Sequence, residues 1–235
     1  MKTWQTEKGQ NIFQLISFRS HVFLLTCGEK YILIDTGVRM MRKWLKKRLD
    51  KLGVHHIDYL ILTHSHFDHA GNAARIRSTY GARVIIHKEE AASLVSGEII
   101  LPQGTVWFTR LPVKLLGKRI TPLLRCEPCV PDILVEDMFE LKDAGCNAMI
   151  THTPGHTPGS VCVIVNDELA LVGDTLFGIY SGTVYPVFAV NARQMVQSWS
   201  KLLETGCQVF LPSHGRAVHR SLVLSDFERR ISQNP

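Results

Sequence analysis

Thr63-His64-Ser65-His66-Phe67-Asp68-His69 is the stretch that decides the fold. It follows the apolar run Ile57–Leu62, which reads as a buried strand, so these ligand-type residues open a loop at a strand's carboxyl end. Open sheets place their sites at such ends. On extended backbone, positions i and i+2 point the same way, so His64 and His66 can grip one cation. Asp68 and His69 come after the chain turns and are free to face a second. Imidazole is the commonest metal ligand among side chains, and carboxylate oxygen completes sites of the zinc type. The alternative is a solvated histidine loop, which further ligand-bearing loops elsewhere would disfavour.

Three such loops exist. Thr151-His152-Thr153-Pro154-Gly155-His156-Thr157-Pro158-Gly159-Ser160 is turn-rich and holds two histidines. Val172-Gly173-Asp174-Thr175 sets an aspartate directly after an apolar strand, and Pro212-Ser213-His214-Gly215 does the same with a histidine. An ionised aspartate at a buried strand end is costly unless it is paired or metal-bound. For each loop alone a satisfied structural residue is the better reading; four such loops after four strands weigh differently.

The surrounding chain reads as alternating strands and helices. Asn11–Phe18, His21–Cys27 and Tyr31–Asp35 are strand-like, and Met41, Trp44, Leu45, Leu49 and Leu52 recur at helical spacing up to Gly53. Ala70–Tyr80 reads as a helix and Arg83–His87 as a strand. In the second half, Ile133–Leu141, Ala148–Thr151, Val161–Val165 and Leu169–Val172 are short and β-rich; Asn191–Leu203 and Ser221–Ile231 are helical. Two rounds of strands followed by helices predict two similar halves packed sheet to sheet. A single domain over residues 1–235 is expected. Glu98 to Pro131, with five prolines among exposed-looking apolar residues, is expected to be an irregular insertion serving as a lid or substrate loop.

Composition narrows the class. Of the 235 residues, 45% are apolar and 20% charged, as in ordinary globular proteins. The N-terminal segment lacks the apolar core of a secretory signal, and no apolar run is long enough to span a bilayer, so a cytoplasmic protein is expected. The net charge of +6 is uneven. One cluster lies on the Arg39–Lys51 helix, and another (Arg110, Lys114, Lys118, Arg119, Arg125) lies in an acid-free region. Basic faces attract nucleic acid, anionic lipid or acidic substrates, and they also occur as solvated helix surfaces. Six cysteines are present. Cys27 and Cys162 read as buried small hydrophobes, and Cys126-Glu127-Pro128-Cys129 is a C-x-x-C without partners for a structural zinc site.

As an ordered set, Asp35-Thr36-Gly37, His64-x-His66-x-Asp68-His69, the Thr153–Ser160 loop, Gly173-Asp174-Thr175 and Ser213-His214-Gly215 resemble the metallo-β-lactamase-fold hydrolases. The resemblance covers about residues 10 to 220. It implies an α/β four-layer αββα sandwich with two divalent metal ions at one edge. By match, His64, His66 and His156 would hold one ion, Asp68, His69 and His214 the other, and Asp174 would bridge them. Asp35 would brace the histidine loop. His21, His55, His56, His87, His152 and His219 match no ligand position. The metals are expected to be zinc, with iron or manganese as options. Two such ions about 3.5–4 Å apart share a water and lower its pKa toward 7. Asp68 would orient that water and shuttle its proton.

Departures from subfamilies narrow the expected reaction. Lactamases with a cysteine ligand would carry it where Asp174 stands. Glyoxalase II-type thioesterases match the Thr153–Ser160 loop but have an additional C-terminal helical region. Lactonases place a tyrosine where Phe177 stands, leaving Tyr180 or Tyr185 to substitute. The diiron oxygen-reducing branch has Glu at the position of His66, and the family's nucleases bring extra arms. The expected function is hydrolysis of a small ester, thioester or lactone. The alternatives are a phosphodiesterase or nuclease of the same fold, a mononuclear iron persulfide-dioxygenase-type oxidoreductase, and a non-catalytic metal scaffold. Candidate substrate contacts are Trp107, Phe108, Phe177, Tyr180 and Tyr185. A small molecule is the expected partner, with nucleic acid less favoured and a homodimer left open.

Overall fold

In a computed structural model of the chain, residues 1–142, 145 and 147–233 are described. The N-terminal half runs β1 (Thr3–Gln5), β2 (Asn11–Ile16), β3 (Val22–Cys27), β4 (Lys30–Ile34), α1 (Arg42–Lys51), β5 (Tyr59–Ile61), α2 (Phe67–Ala70), α3 (Ala73–Tyr80), β6 (Arg83–His87) and α4 (Lys88–Ser96). The central segment holds β7 (Gln103–Gly104), α5 (Trp107–Ile120) and β8 (Ile133–Val135). The remainder is β9 (Met138–Glu140), β10 (Ala148–His152), β11 (Val161–Val165), β12 (Leu169–Gly173), β13 (Phe188–Ala189), α6 (Ala192–Leu203), β14 (Val209–Pro212), β15 (Val218–His219) and α7 (Arg220–Gln233).

Two sheets form. The first has the order β1-β2-β3-β4-β5-β6-β8, antiparallel through β4 and parallel thereafter. The second has the order β15-β14-β12-β11-β10-β9. Strand residues alternate between faces, and here both faces are apolar because both are covered. Along β3, Val22 and Leu24 face the first helix layer, while Phe23, Leu25 and Cys27 face the second sheet. On β11, Val161, Val163 and Val165 meet the first sheet, and Cys162 and Ile164 meet the helix side with Trp199. Three apolar clusters thus separate four layers, helix–sheet–sheet–helix. The αββα sandwich is the architecture of the metallo-β-lactamase fold.

Several expectations are corrected. Ile133–Leu141 is not one strand: β8 joins the first sheet and β9 the second, so the chain crosses between sheets at Glu136-Asp137. Ala70–Tyr80 is not one helix; α2 and α3 are separated at Gly71-Asn72, where the Asn72 side-chain amide donates to the carbonyls of Thr36 and Val38. Glu98 to Pro131 is not irregular throughout, because α5 runs through Pro112. An interior proline lacks a donor and costs about 3 kcal/mol in a helix. Tertiary ties hold α5 nonetheless: Thr105 Oγ1 donates to Pro186 O at 2.6 Å and Thr109 Oγ1 to Val187 O at 3.0 Å. Cys27 is not a plain buried thiol but disulfide-bonded. Cys126, Cys129, Cys162 and Cys207 are free and buried, and Cys146 lies outside the described residues. Burial pushes the Cys126 thiol up to about 12.

Candidate metal centre

The site forms where strand ends from both sheets meet. His64 and His66 follow β5 on extended backbone and point together. Ser65, between them, turns the opposite way, and its N–H donates to Glu90 Oε2 at 3.0 Å. Asp68 and His69 lie on the single turn of α2, and the Asp68 carbonyl accepts from the buried Ser20 hydroxyl. His156 sits in the loop after β10, held against Val190 N–H at 2.9 Å through its own carbonyl. That loop needs a glycine at Gly155: its φ is 134°, and a Cβ there would lie 2.2 Å from Met195 N. Asp174 follows Gly173, whose φ is 51° and whose missing Cβ admits Thr63 at 2.8 Å. His214 follows β14, tied by Ser213 N–H to Gly173 O at 2.9 Å.

The imidazoles are set by what their far nitrogens touch. A carbonyl only accepts, so His66 Nε2 donates to Ile100 O (2.8 Å) and His156 Nδ1 to Phe188 O (2.9 Å). Thr63 Oγ1 already donates to Asp35, so it accepts from His64 Nδ1 at 3.2 Å. The nitrogens left over converge: His64 Nε2 lies 2.9 Å and His156 Nε2 3.2 Å from His66 Nδ1. Three lone pairs aimed at one point are mutually repulsive unless a cation sits among them.

A second group lies beside the first. His69 donates from Nδ1 to Asp35 Oδ2 at 2.7 Å, leaving Nε2 buried without a partner. Asp174 Oδ1 is likewise buried and unpartnered, 3.4 Å from that nitrogen. Asp174 Oδ2 lies 3.4 Å from His156 Nε2 and 3.2 Å from His214 Nε2, so this carboxylate stands between both groups. Asp68 Oδ2 is 3.8 Å from His214 Nε2. Three sets, His64/His66/His156, His64/His69/Asp174 and Asp68/His69/His214, each bring their ligand atoms within 4.8 Å of one another.

The electrostatics ask for positive charge. Burial and the neighbouring imidazoles push His64 well down, and burial takes His156 to about 4. Burial also opposes charge on His69, yet Asp174, Asp35 and Asp68 lift it to about 10. Burial opposes ionisation of Asp174 too, but His214, His69 and His156 hold it far below the usual carboxylate range. Orphaned buried acceptor atoms, converging lone pairs and an all-His/Asp ligand set fit divalent ions of the zinc type.

The chain brings together seven of the residues singled out from sequence, and Asp35 supports them from behind. Asp35 adopts φ 59° and receives Thr63 N–H at 2.8 Å as well as His69. The substrate contacts divide. Phe108 and Phe177 line a cavity of about 530 Å³ over the centre, together with Pro112, Val113, Leu116 and Val187. Trp107, Tyr180 and Tyr185 do not line it; Tyr185 lies under the Arg230 guanidinium, 3.5 Å from its ring centroid. The unassigned histidines His87 and His152 stack on each other at 3.8 Å and donate to Glu136 O and Pro158 O.

Two residues escaped the sequence reading. Arg19 lines the cavity and lies over the Phe67 ring, 4.9 Å from its centroid. Glu90, wholly buried on α4, accepts from Ser65 and from Gly159 N–H at 3.1 Å. Neither carries a local motif.

Fold and site together define an αββα sandwich with a candidate metal centre at the ends of its strands. The chain belongs to the metallo-beta-lactamase superfamily, whose family profile matches residues 17–214. It is 33% identical over 153 residues to a probable metallo-hydrolase of Methanocaldococcus jannaschii, covering 65% of this chain and 66% of that one. It is 27% identical over 148 residues to a hydroxyacylglutathione hydrolase of Pelagibacter ubique, covering 63% of this chain but 46% of that protein. A solved metallo-beta-lactamase family protein of Thermus thermophilus superposes with a TM-score of 0.70 at 23% identity, over 94% of this chain and 79% of that one. At that identity the likeness shows the fold alone. Membership supports a metal-dependent hydrolase. Among the described residues, no helix is long and apolar enough to cross a membrane.

Proposed function

We propose that the chain is a dinuclear metal hydrolase acting on a small ester, thioester or lactone with an apolar acyl group. The observation carrying this is the convergence of seven His and Asp side chains at the floor of an apolar cavity. In this reading His64, His66 and His156 hold one ion, Asp68, His69 and His214 the other, and Asp174 lies between. When bound, such a pair supplies Lewis acidity and a water acidified toward neutral pH. Zinc suits the donors best, with iron or manganese as options.

The chain's own residues divide the remaining work. Asp68, at the cavity floor, accepts a proton at its carboxylate and returns it to the leaving group. The walls from α5 and from Phe177 and Val187 exclude water and seat an acyl chain, and about 530 Å³ lies within the range of small-molecule pockets, about 300–1,000 Å³. Arg19 is the cation on that wall among the described residues, placed for a carboxylate or phosphate on the substrate's far end. One guanidinium in an apolar wall suits a small anionic substrate better than a polyanion, so the nuclease reading is the weaker one. Phe177 offers no phenol, and among the described residues neither Tyr180 nor Tyr185 lines the cavity to stand in for it, so esters and thioesters are favoured over lactones.

The test is zinc-loaded protein assayed against p-nitrophenyl esters, acyl thioesters and lactones of rising chain length. Turnover that chelation abolishes is expected, with kcat of Asp68→Asn down on the order of 10²–10⁴-fold. Two bound zinc ions with no turnover across the panel would contradict the proposal. Oxygen consumption with one iron per chain would identify the persulfide oxygenase chemistry instead.

A further inference from the structure

The outer face of α5 is apolar and uncovered. Trp107, Leu111 and Leu115 are spaced by four, so they share one face, and they are 83%, 60% and 65% exposed. Phe108, Pro112 and Leu116, one position on in each case, line the cavity behind that face. A contiguous exposed apolar stripe marks a surface that something covers.

Charge says what. Arg110 and Lys114 run alongside the stripe, Arg119 continues it, and all three are exposed. Among the described residues none of the three has a carboxylate within ion-pair distance, and no acidic residue occurs between Glu98 and Glu127. A second copy docked through this face would set Arg110 and Lys114 against their own counterparts with no acid between them, because a two-fold interface pairs a patch with itself. An anionic lipid surface meets both demands: acyl chains for the apolar stripe, headgroups for the basic residues, and a boundary zone suited to tryptophan.

We infer that α5 docks the protein on an anionic membrane surface, with Trp107, Leu111 and Leu115 inserted among the lipids. The cavity then opens directly behind the inserted helix, so an apolar substrate reaches it from the lipid without crossing water. The docking stands independently of the hydrolase reading.

Flotation with vesicles tests it. Wild-type protein is expected to float with phosphatidylcholine/phosphatidylserine vesicles, not with phosphatidylcholine alone, and to be released by about 0.5 M salt. Leu111→Ser/Leu115→Ser and Lys114→Glu/Arg119→Glu are each expected to lower the vesicle partition coefficient by about tenfold or more, with unchanged thermal melting in buffer. Wild-type protein that ignores anionic vesicles, or variants that bind as well as wild type, would overturn the inference. So would a wild-type dimer by light scattering that Leu111→Ser/Leu115→Ser converts to monomer in the absence of any vesicle binding.

Discussion

Glu90 Oε1 accepts the Gly159 N–H at 3.1 Å, and its second oxygen takes the Ser65 N–H at 3.0 Å. One buried carboxylate thus joins the His64–His66 segment to the loop bearing His156, although these lie far apart in sequence and come from different sheets. That clasp ties together the two segments that carry His64, His66 and His156.

Glu90→Ala leaves two buried N–H groups unpaired, each costing about 1–3 kcal/mol. Residues that orient metal ligands typically matter by about 10–100-fold in affinity. Both a lowered melting temperature and weaker zinc binding in chelator competition are expected, with Glu90→Gln milder because its amide oxygen still accepts. Destabilisation with unaltered zinc affinity would show that Glu90 serves only the fold.

Asp35 separates backbone from side-chain roles. Its left-handed backbone, φ 59°, suits Asn as well as Asp, so Asp35→Asn keeps the turn while removing the charge behind His69. Zinc affinity is expected to fall by about 10–100-fold, chiefly for one of two ions, with folding retained. Titration calorimetry that finds two unaltered sites would refute that role.

Leu116 lines the cavity from α5, so Leu116→Trp shortens the space for an acyl chain. For long-chain esters kcat/KM is expected to drop by about tenfold or more, while short-chain esters change little. Equal losses at all chain lengths would place the acyl group elsewhere.

Acid stability reports on Asp226. Burial opposes its ionisation, but hydrogen bonds from Thr183 Oγ1 (2.6 Å), Val184 N–H (2.8 Å) and Arg229 outweigh it, holding the carboxyl below its usual value. A depressed folded pKa stabilises above the unfolded value of about 3.9 and is lost as pH falls through that range. Wild type is therefore expected to exceed Asp226→Asn in urea stability at neutral pH, with the gap closing below about pH 4. A gap that stays constant with pH would assign the effect to packing.

The loops bearing the ligand-type residues were legible because each follows an apolar strand, and strand ends converge in this architecture. Helix α5 was not, since proline and exposed leucines obscure a helix that is held by side-chain bonds to Pro186 and Val187. Glu90 reads in sequence as an ordinary charged helix residue, and its partners lie 25 and 69 residues away. Arg19 in a strand connection carries no pattern at all. The break of Ile133–Leu141 into strands of opposite sheets falls on Glu136-Asp137, where no glycine or proline marks a turn. Cys27 sits in an apolar strand, and nothing local distinguishes a disulfide half from a buried thiol.

Anomalous diffraction from crystals soaked with zinc tests the central claim most directly. Two peaks are expected: one at about 2.0–2.1 Å from His64 Nε2, His66 Nδ1 and His156 Nε2, the other at similar distances from His69 Nε2, His214 Nε2 and Asp68, with Asp174 between them. No peak within reach of His64 and His69, or a single ion held without Asp174, would contradict the dinuclear reading.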